Sequence, residues 1–234
     1  MSAIYKKEIR TFFRTPVGYV FTAIFLASSG FLFSFFCLHT RTTDVSVYYT
    51  MLMFAYVILI PLLTMKSFAE ERRMGTEQLL LTSPVSLVKF VASKFLACLT
   101  LFAATLVVSS LYFIPLFIYG DPNVGKIFGC LIGMTLIATC FISIGLFVSS
   151  LTQNQFVAAL GTIGILAFLL AVGLLGTYVD SGWIKDVVEW ISIYSRFSAF
   201  TYGLFDVASA VYYLSVSFIF LFLTVRIYEK RRYA

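Results

Sequence analysis

Apolar residues run through the chain in six long blocks separated by short polar segments. Between Lys126 and Asp180, residues 127–179, a run of 53 positions holds no Asp, Glu, Lys or Arg. About 20 apolar residues cross a bilayer as helix, and an ionised group in hydrocarbon is costly, so this stretch crosses twice. Its polar middle, Thr152-Gln153-Asn154-Gln155, is where the turn belongs. The whole pattern predicts spans over Val17–Leu38, Val45–Met65, Phe95–Tyr119, Ile127–Leu151, Phe156–Val179 and Val207–Val225. The predicted fold class is all-α: a polytopic membrane protein with six transmembrane helices, organised as a single domain over 1–234.

Two segments outside the spans have helical periodicity. From Ile4 to Arg14, Tyr5, Ile9, Phe12 and Phe13 share one face while Lys6, Lys7, Arg10 and Arg14 gather on another. This predicts an N-terminal interfacial helix, with Pro16 and Gly18 supplying the bend into the first span. Between spans five and six, Trp183, Ile184, Val187, Val188, Trp190 and Ile191 interleave with Asp180, Lys185, Asp186 and Glu189, which predicts amphipathic outer helices. The first apolar run is longer than the roughly 7–15 residues of a signal-peptide core and ends in Phe35-Phe36-Cys37-Leu38, so it is expected to remain as a span. No repeat with a period of about 20–50 residues is present in the sequence.

Charge sets the orientation. With the N-terminus inside, thirteen of the 17 Lys and Arg fall on one face and only Arg41, Lys126, Lys185 and Arg196 on the other. The positive-inside rule therefore predicts both termini on the cytoplasmic side of the cell membrane. Tyr19, Tyr48, Tyr49, Tyr119, Tyr178, Tyr212, Tyr213 and Tyr228 lie near run ends, where interfacial rings are expected. The net charge of +6 sits beside apolar runs, which points to anionic lipid and excludes nucleic acid as a partner. Cys37, Cys98, Cys130 and Cys140 lie in or beside apolar runs without a CxxC pair, and the lone His39 completes no zinc site. They read as reduced thiols packed as small hydrophobes, with a Cys37–Cys130 bridge left open.

Catalytic signatures are absent from the sequence. Gly120-Asp121-Pro122-Asn123-Val124-Gly125-Lys126 fits a phosphate loop through its lysine, but Ile127 stands where Ser or Thr must bind magnesium. Flanked by two spans, it reads as a turn. The predicted spans hold no charge in their interiors, which disfavours an ion-coupled carrier. Gly129-Cys130-Leu131-Ile132-Gly133 is a GxxxG, a weak sign of close helix approach.

The long loop after span two carries the most information. Ser67 followed by Glu70 fits a capping box, Ser83 before Pro84 fits a second helix start, and Gly75 lets another backbone come close. Leu79, Leu80 and Leu81 are apolar in a loop with little of its own to bury them, which suits a short helix docked on a cytoplasmic partner.

Phe68-Ala69-Glu70-Glu71-Arg72 with Gly75-Thr76-Glu77, Leu79-Leu80 and Pro84, and Lys94 before span three, resemble the ABC-2 type permeases of ATP-binding cassette transporters. Ser149-Ser150-Leu151-Thr152-Gln153-Asn154-Gln155 and the tail from Phe200 through Gly203 and Tyr212-Tyr213 to Arg231-Arg232 carry the same resemblance. Within that family the chain looks most similar to the gliding-motility-associated permease subunits, although Tyr202 stands where an Arg is common and Ala208-Ser209 replace a more polar pair. The resemblance implies a type V exporter-like fold and a non-catalytic membrane subunit. It binds no cofactor itself; ATP and Mg belong to a separate cassette ATPase, and a second permease copy or a homologous permease completes the unit. Glu70, Glu71, Arg72, Gly75, Thr76, Glu77, Leu79, Leu80 and Pro84 would form the main ATPase-coupling contact, and Thr152, Gln153 and Asn154 a shorter second one. The implied function is export. The alternative is transmission of force to an extracytoplasmic companion protein without translocation.

Overall fold

The computed structural model describes residues 2–75, 86–176 and 192–233, and these are almost wholly helical. Helix α1 (Ser2–Arg14) precedes the spans, and Pro16 opens α2 (Pro16–Phe33), where its missing N–H costs nothing. A π-helical turn, Ser34–His39, finishes that span. The second span is α3 (Ser46–Arg73). The third begins as α4 (Leu87–Ser109), passes through a 3-10 turn at Ser110–Phe113 and ends as α5 (Ile114–Tyr119). Pro115 explains the break, because it has no N–H to offer the carbonyl one turn before it. The remaining elements are α6 (Val124–Leu151), α7 (Gln155–Gly176), α8 (Ile193–Thr201) and α9 (Val207–Tyr233).

Among the described residues six helices are long and apolar enough to cross a membrane, matching the six predicted spans. Helix α6 is the hub, packing on α3, α4, α7, α8 and α9. It is the most buried span, while α2, α7 and α9 leave most of their surface outward. Phe31, Phe168 and Phe218 are exposed on those three helices, as side chains facing lipid are. A soluble protein would not present so many large apolar residues to water.

Several details differ from the expectation. The capping box is not formed: Ser67 lies inside α3, which continues past the apolar run to Arg73 because nothing between Met65 and Glu70 breaks the helix. Tyr48, Tyr49, Tyr213 and Tyr228 are buried against the bundle rather than lying in an interfacial belt. They fall on inward faces, where ring packing such as Tyr48 against Phe113 decides their place. Exposed Tyr19 and Tyr119 keep the expected position. All four cysteines are buried free thiols, so the Cys37–Cys130 bridge is not made. The phosphate-loop match is a turn capped by Asn123, whose side chain accepts from the Lys126 N–H at 3.3 Å. The outer segment 177–191, with its predicted amphipathic helices, lies outside the described residues, but α8 follows it directly.

Candidate functional site

Both chain termini, the end of α3, the start of α4 and the α6–α7 turn meet at one end of the bundle, termed here the terminal end. The last carbonyls of α6 have no partner within their own helix and attract cations through the helix dipole. Two arginines from other helices satisfy them. Arg72 of α3 donates to the Leu151 carbonyl at 2.8 Å, and Arg231 of α9 donates to the Ser150 carbonyl at 2.6 Å. One residue earlier, the buried Ser149 hydroxyl accepts from the Phe68 and Ala69 N–H groups and donates to the Met65 carbonyl, each at 3.2 Å. Thr152 and Asn154 shape the turn that follows. The Thr152 hydroxyl accepts from the Asn154 N–H at 3.1 Å, and the Asn154 side chain accepts from the Phe156 N–H at 2.9 Å to start α7. Gln153 and Asn154 are exposed.

Beside this lies a buried ion cluster. Lys94, placed just before the third span by the apolar pattern, stands about two turns inside α4 and is only 2% exposed. Its ammonium sits 3.0 Å from Glu71 of α3 and 3.4 Å from Glu8 of α1, and donates to the Ser67 carbonyl at 2.7 Å. The Phe68 and Phe90 rings lie 5.2 and 5.4 Å from it. A buried ammonium is tolerated only when paired and hydrogen-bonded, and here two neighbouring helices, α1 and α3, supply the partners. Lys7 adds an outer cation 3.9 Å from Glu71.

The structure thus brings Glu70, Glu71 and Arg72 to the same end as Thr152, Gln153 and Asn154, with Arg72 bonded to the residue before that turn. Gly75 ends the helical segment at φ +71, a left-handed conformation that favours glycine. Thr76, Glu77, Leu79, Leu80 and Pro84 lie outside the described residues, as does the Ser83-Pro84 helix start. Glu8 was not singled out from the sequence, and Ser149, Arg231 and Lys94 were noted only as motif matches. Glu8 does carry a signal: it is the lone carboxylate on a helix otherwise basic and apolar.

The opposite, far end is assembled differently. The GxxxG of α6 does mark close approach, but to the turn after α8. A Cβ on Gly129 would fall 2.9 Å from the Gly203 Cα and 3.0 Å from the Phe200 carbonyl oxygen, and one on Gly133 would fall 2.9 Å from the Phe200 Cβ. Gly203 itself has φ +78. Phe197 and Phe200 of α8 are buried, and the buried Tyr213 hydroxyl of α9 donates to the Ile193 carbonyl at 2.8 Å. Ser46, at the start of α3, donates to the Thr201 carbonyl at 3.2 Å. Nearby, Lys126 lies 3.6 Å from Asp44. Burial pushes the Asp44 carboxyl up, but the Ser46 hydrogen bonds and the Lys126 ammonium outweigh it and hold the group below its usual range. Asp206 is also held low, first by the Ser209 hydroxyl, with the Ser209 and Ala208 N–H groups adding to it against a smaller burial effect.

Among the described residues no cluster of His, Cys, Asp or Glu could hold a metal ion. Six helices long and apolar enough to cross a bilayer define a multi-pass helical membrane protein. Residues 40–228, most of the 234-residue chain, match the family described as ABC-2 family transporter protein, and the chain belongs to that family. It is accordingly a membrane-spanning permease component of an ATP-binding cassette transporter. No curated protein matches it.

Proposed function

We propose that this chain is the permease subunit of an exporter of the gliding-motility-associated type, driven by a separate cassette ATPase. It sits in the cytoplasmic membrane with both termini inside, and two permease copies, or this chain and a homologous one, work around a shared axis. ATP and Mg are held by the ATPase, whose contacts are Glu70, Glu71, Arg72, Gly75, Thr76, Glu77, Leu79, Leu80 and Pro84, with Thr152, Gln153 and Asn154 as the second contact. The observation that supports this reading is the Arg72–Leu151 hydrogen bond, which ties the start of one expected contact to the start of the other at the end rich in Lys and Arg. A force applied to either segment would reach α3 and α6 together.

The test is co-expression with a cassette ATPase from the same genome and purification in mild detergent. Leu80→Asp puts a charge into the apolar contact and should release the ATPase while the permease still elutes as a single folded species. Unchanged ATPase retention together with unchanged hydrolysis would rule this segment out. In intact cells, a cysteine introduced at position 121 should be labelled by a membrane-impermeant thiol reagent added from outside.

A further inference from the structure

Where α1 passes beneath the bundle, a cleft of about 320 Å³ opens between it and the last turns of α3. Thr11, Phe12 and Thr15 form one wall and Lys66, Glu70 and Met74 the other. Its charged lining is balanced: Lys7, Lys66 and Lys94 face Glu8, Glu70 and Glu71. Lys94, Glu8 and Glu71 satisfy one another, with Lys7 at their edge. Lys66 and Glu70 do not. They stand four positions apart on α3, close enough to pair, yet among the described residues neither side chain makes an ion pair or hydrogen bond. Both are half-buried, so a cation and an anion one helical turn apart are presented together to the cleft.

The cleft does not end there. A second groove, of about 170 Å³, runs between α2 and α3 and is lined by Val17, Val20, Leu62 and Met65. It shares Val17 and Lys66 with the first. Val17 and Met65 mark the ends of the first two apolar runs, so the junction lies at the depth where the hydrocarbon gives way to headgroups. A polar cleft with one free charge of each sign therefore continues into an apolar groove along the spans.

We propose that this composite site binds one phospholipid of the phosphatidylethanolamine type. The phosphate pairs with Lys66, the primary ammonium donates to Glu70, and an acyl chain lies in the groove between α2 and α3. A purely anionic headgroup would leave Glu70 facing negative charge. A choline headgroup pairs with Lys66 but has no N–H to donate to Glu70. The site is a property of this chain's own spans and does not depend on what the transporter moves; it assigns the Glu70 side chain, which lines the cleft, to the lipid and leaves the ATPase contact to the residues that follow it.

Native mass spectrometry of the delipidated full-length protein, titrated separately with phosphatidylethanolamine, phosphatidylcholine and phosphatidylglycerol, tests it. Phosphatidylethanolamine should bind tightest. Glu70→Gln should weaken it about tenfold, the scale of one charge-assisted hydrogen bond, to the level of phosphatidylcholine. Lys66→Gln should weaken both zwitterionic lipids. Among the described residues neither side chain has an intramolecular partner to lose, so both variants should fold. Val20→Trp, which closes the groove from a half-exposed position without touching a charge, should also lower binding, whereas Lys230→Gln should not. A preference for phosphatidylglycerol, or wild-type binding in Glu70→Gln and Lys66→Gln, overturns the proposal. So does a protein dimer whose formation proceeds unchanged with the lipid absent and excludes it when present, since the groove would then be covered by the second copy.

Discussion

At the terminal end Lys94 joins α1, α3 and α4 through two carboxylates and a carbonyl, and two arginines close the end of α6. At the far end α6 meets the turn after α8 with almost no side chain between them, at Gly129 and Gly203. The first kind of contact is directional and strong only while every partner is in place. The second is a matter of shape and admits no extra atom. Charged contacts have discrete alternatives, since an ammonium or guanidinium can exchange one oxygen for another. A glycine contact has none. The end that carries the expected ATPase contacts is thus the one built from exchangeable interactions.

The largest test of that contrast removes the cation. Lys94→Met leaves Glu8 and Glu71 buried without their main partner and should cost about 3 kcal/mol, read by SDS-induced unfolding in mixed micelles. Adding Glu8→Gln and Glu71→Gln to it should restore most of the loss, because no unpaired charge then remains. A triple variant no more stable than Lys94→Met would show that the lysine acts by packing alone. At the far end Gly129→Ala should cost about 1–3 kcal/mol by overpacking against the Gly203 backbone. Gly164→Ala, in α7 with nothing near its added methyl, should be neutral or slightly stabilising in the same assay. Equal effects at the two glycines would remove the case for close approach.

The smallest expected effect is in acid. The Asp206 carboxyl titrates below its ordinary value in the folded protein, because the Ser209 hydroxyl and two backbone N–H groups stabilise its ionised form. Its contribution is therefore complete above the unfolded-state pKa of about 3.9 and is lost as pH falls through the lower folded value. The stability difference between wild type and Asp206→Asn should be constant above about pH 5 and shrink below pH 4. A difference that grows on acidification would reverse the assignment.

The six spans were legible because hydrocarbon imposes one requirement on twenty residues at a time, and a single sequence records it. The turn at Thr152–Asn154 and the bend at Pro16 followed from residues with strong local preferences. The ion cluster was not legible in the same way. Glu8, Glu71 and Lys94 are far apart in sequence, and although Glu8 is the lone carboxylate of its helix and the other two belong to matched motifs, nothing local pairs the three with one another. Ser67 failed in the opposite sense, since its capping pattern was correct in composition but fell within a helix that already had every bond it needed. The buried tyrosines were misplaced because distance from a run's end says nothing about which face of the helix looks inward.

Helix α3 is fastened at both ends of the bundle. Its 28 residues make a rod of about 42 Å. One tip is pinned through Ser46 to Thr201 and the other through Arg72 to Leu151. Between them Thr64 bears on Gly145, where no Cβ would fit. That bearing point is off-centre, 8 residues from Arg72 and 18 from Ser46. A tilt of α3 about that point as one straight rod would move Ser46 opposite to Arg72 and about twice as far, whereas Pro61, three residues from the bearing point, is where the rod would bend instead and absorb the motion.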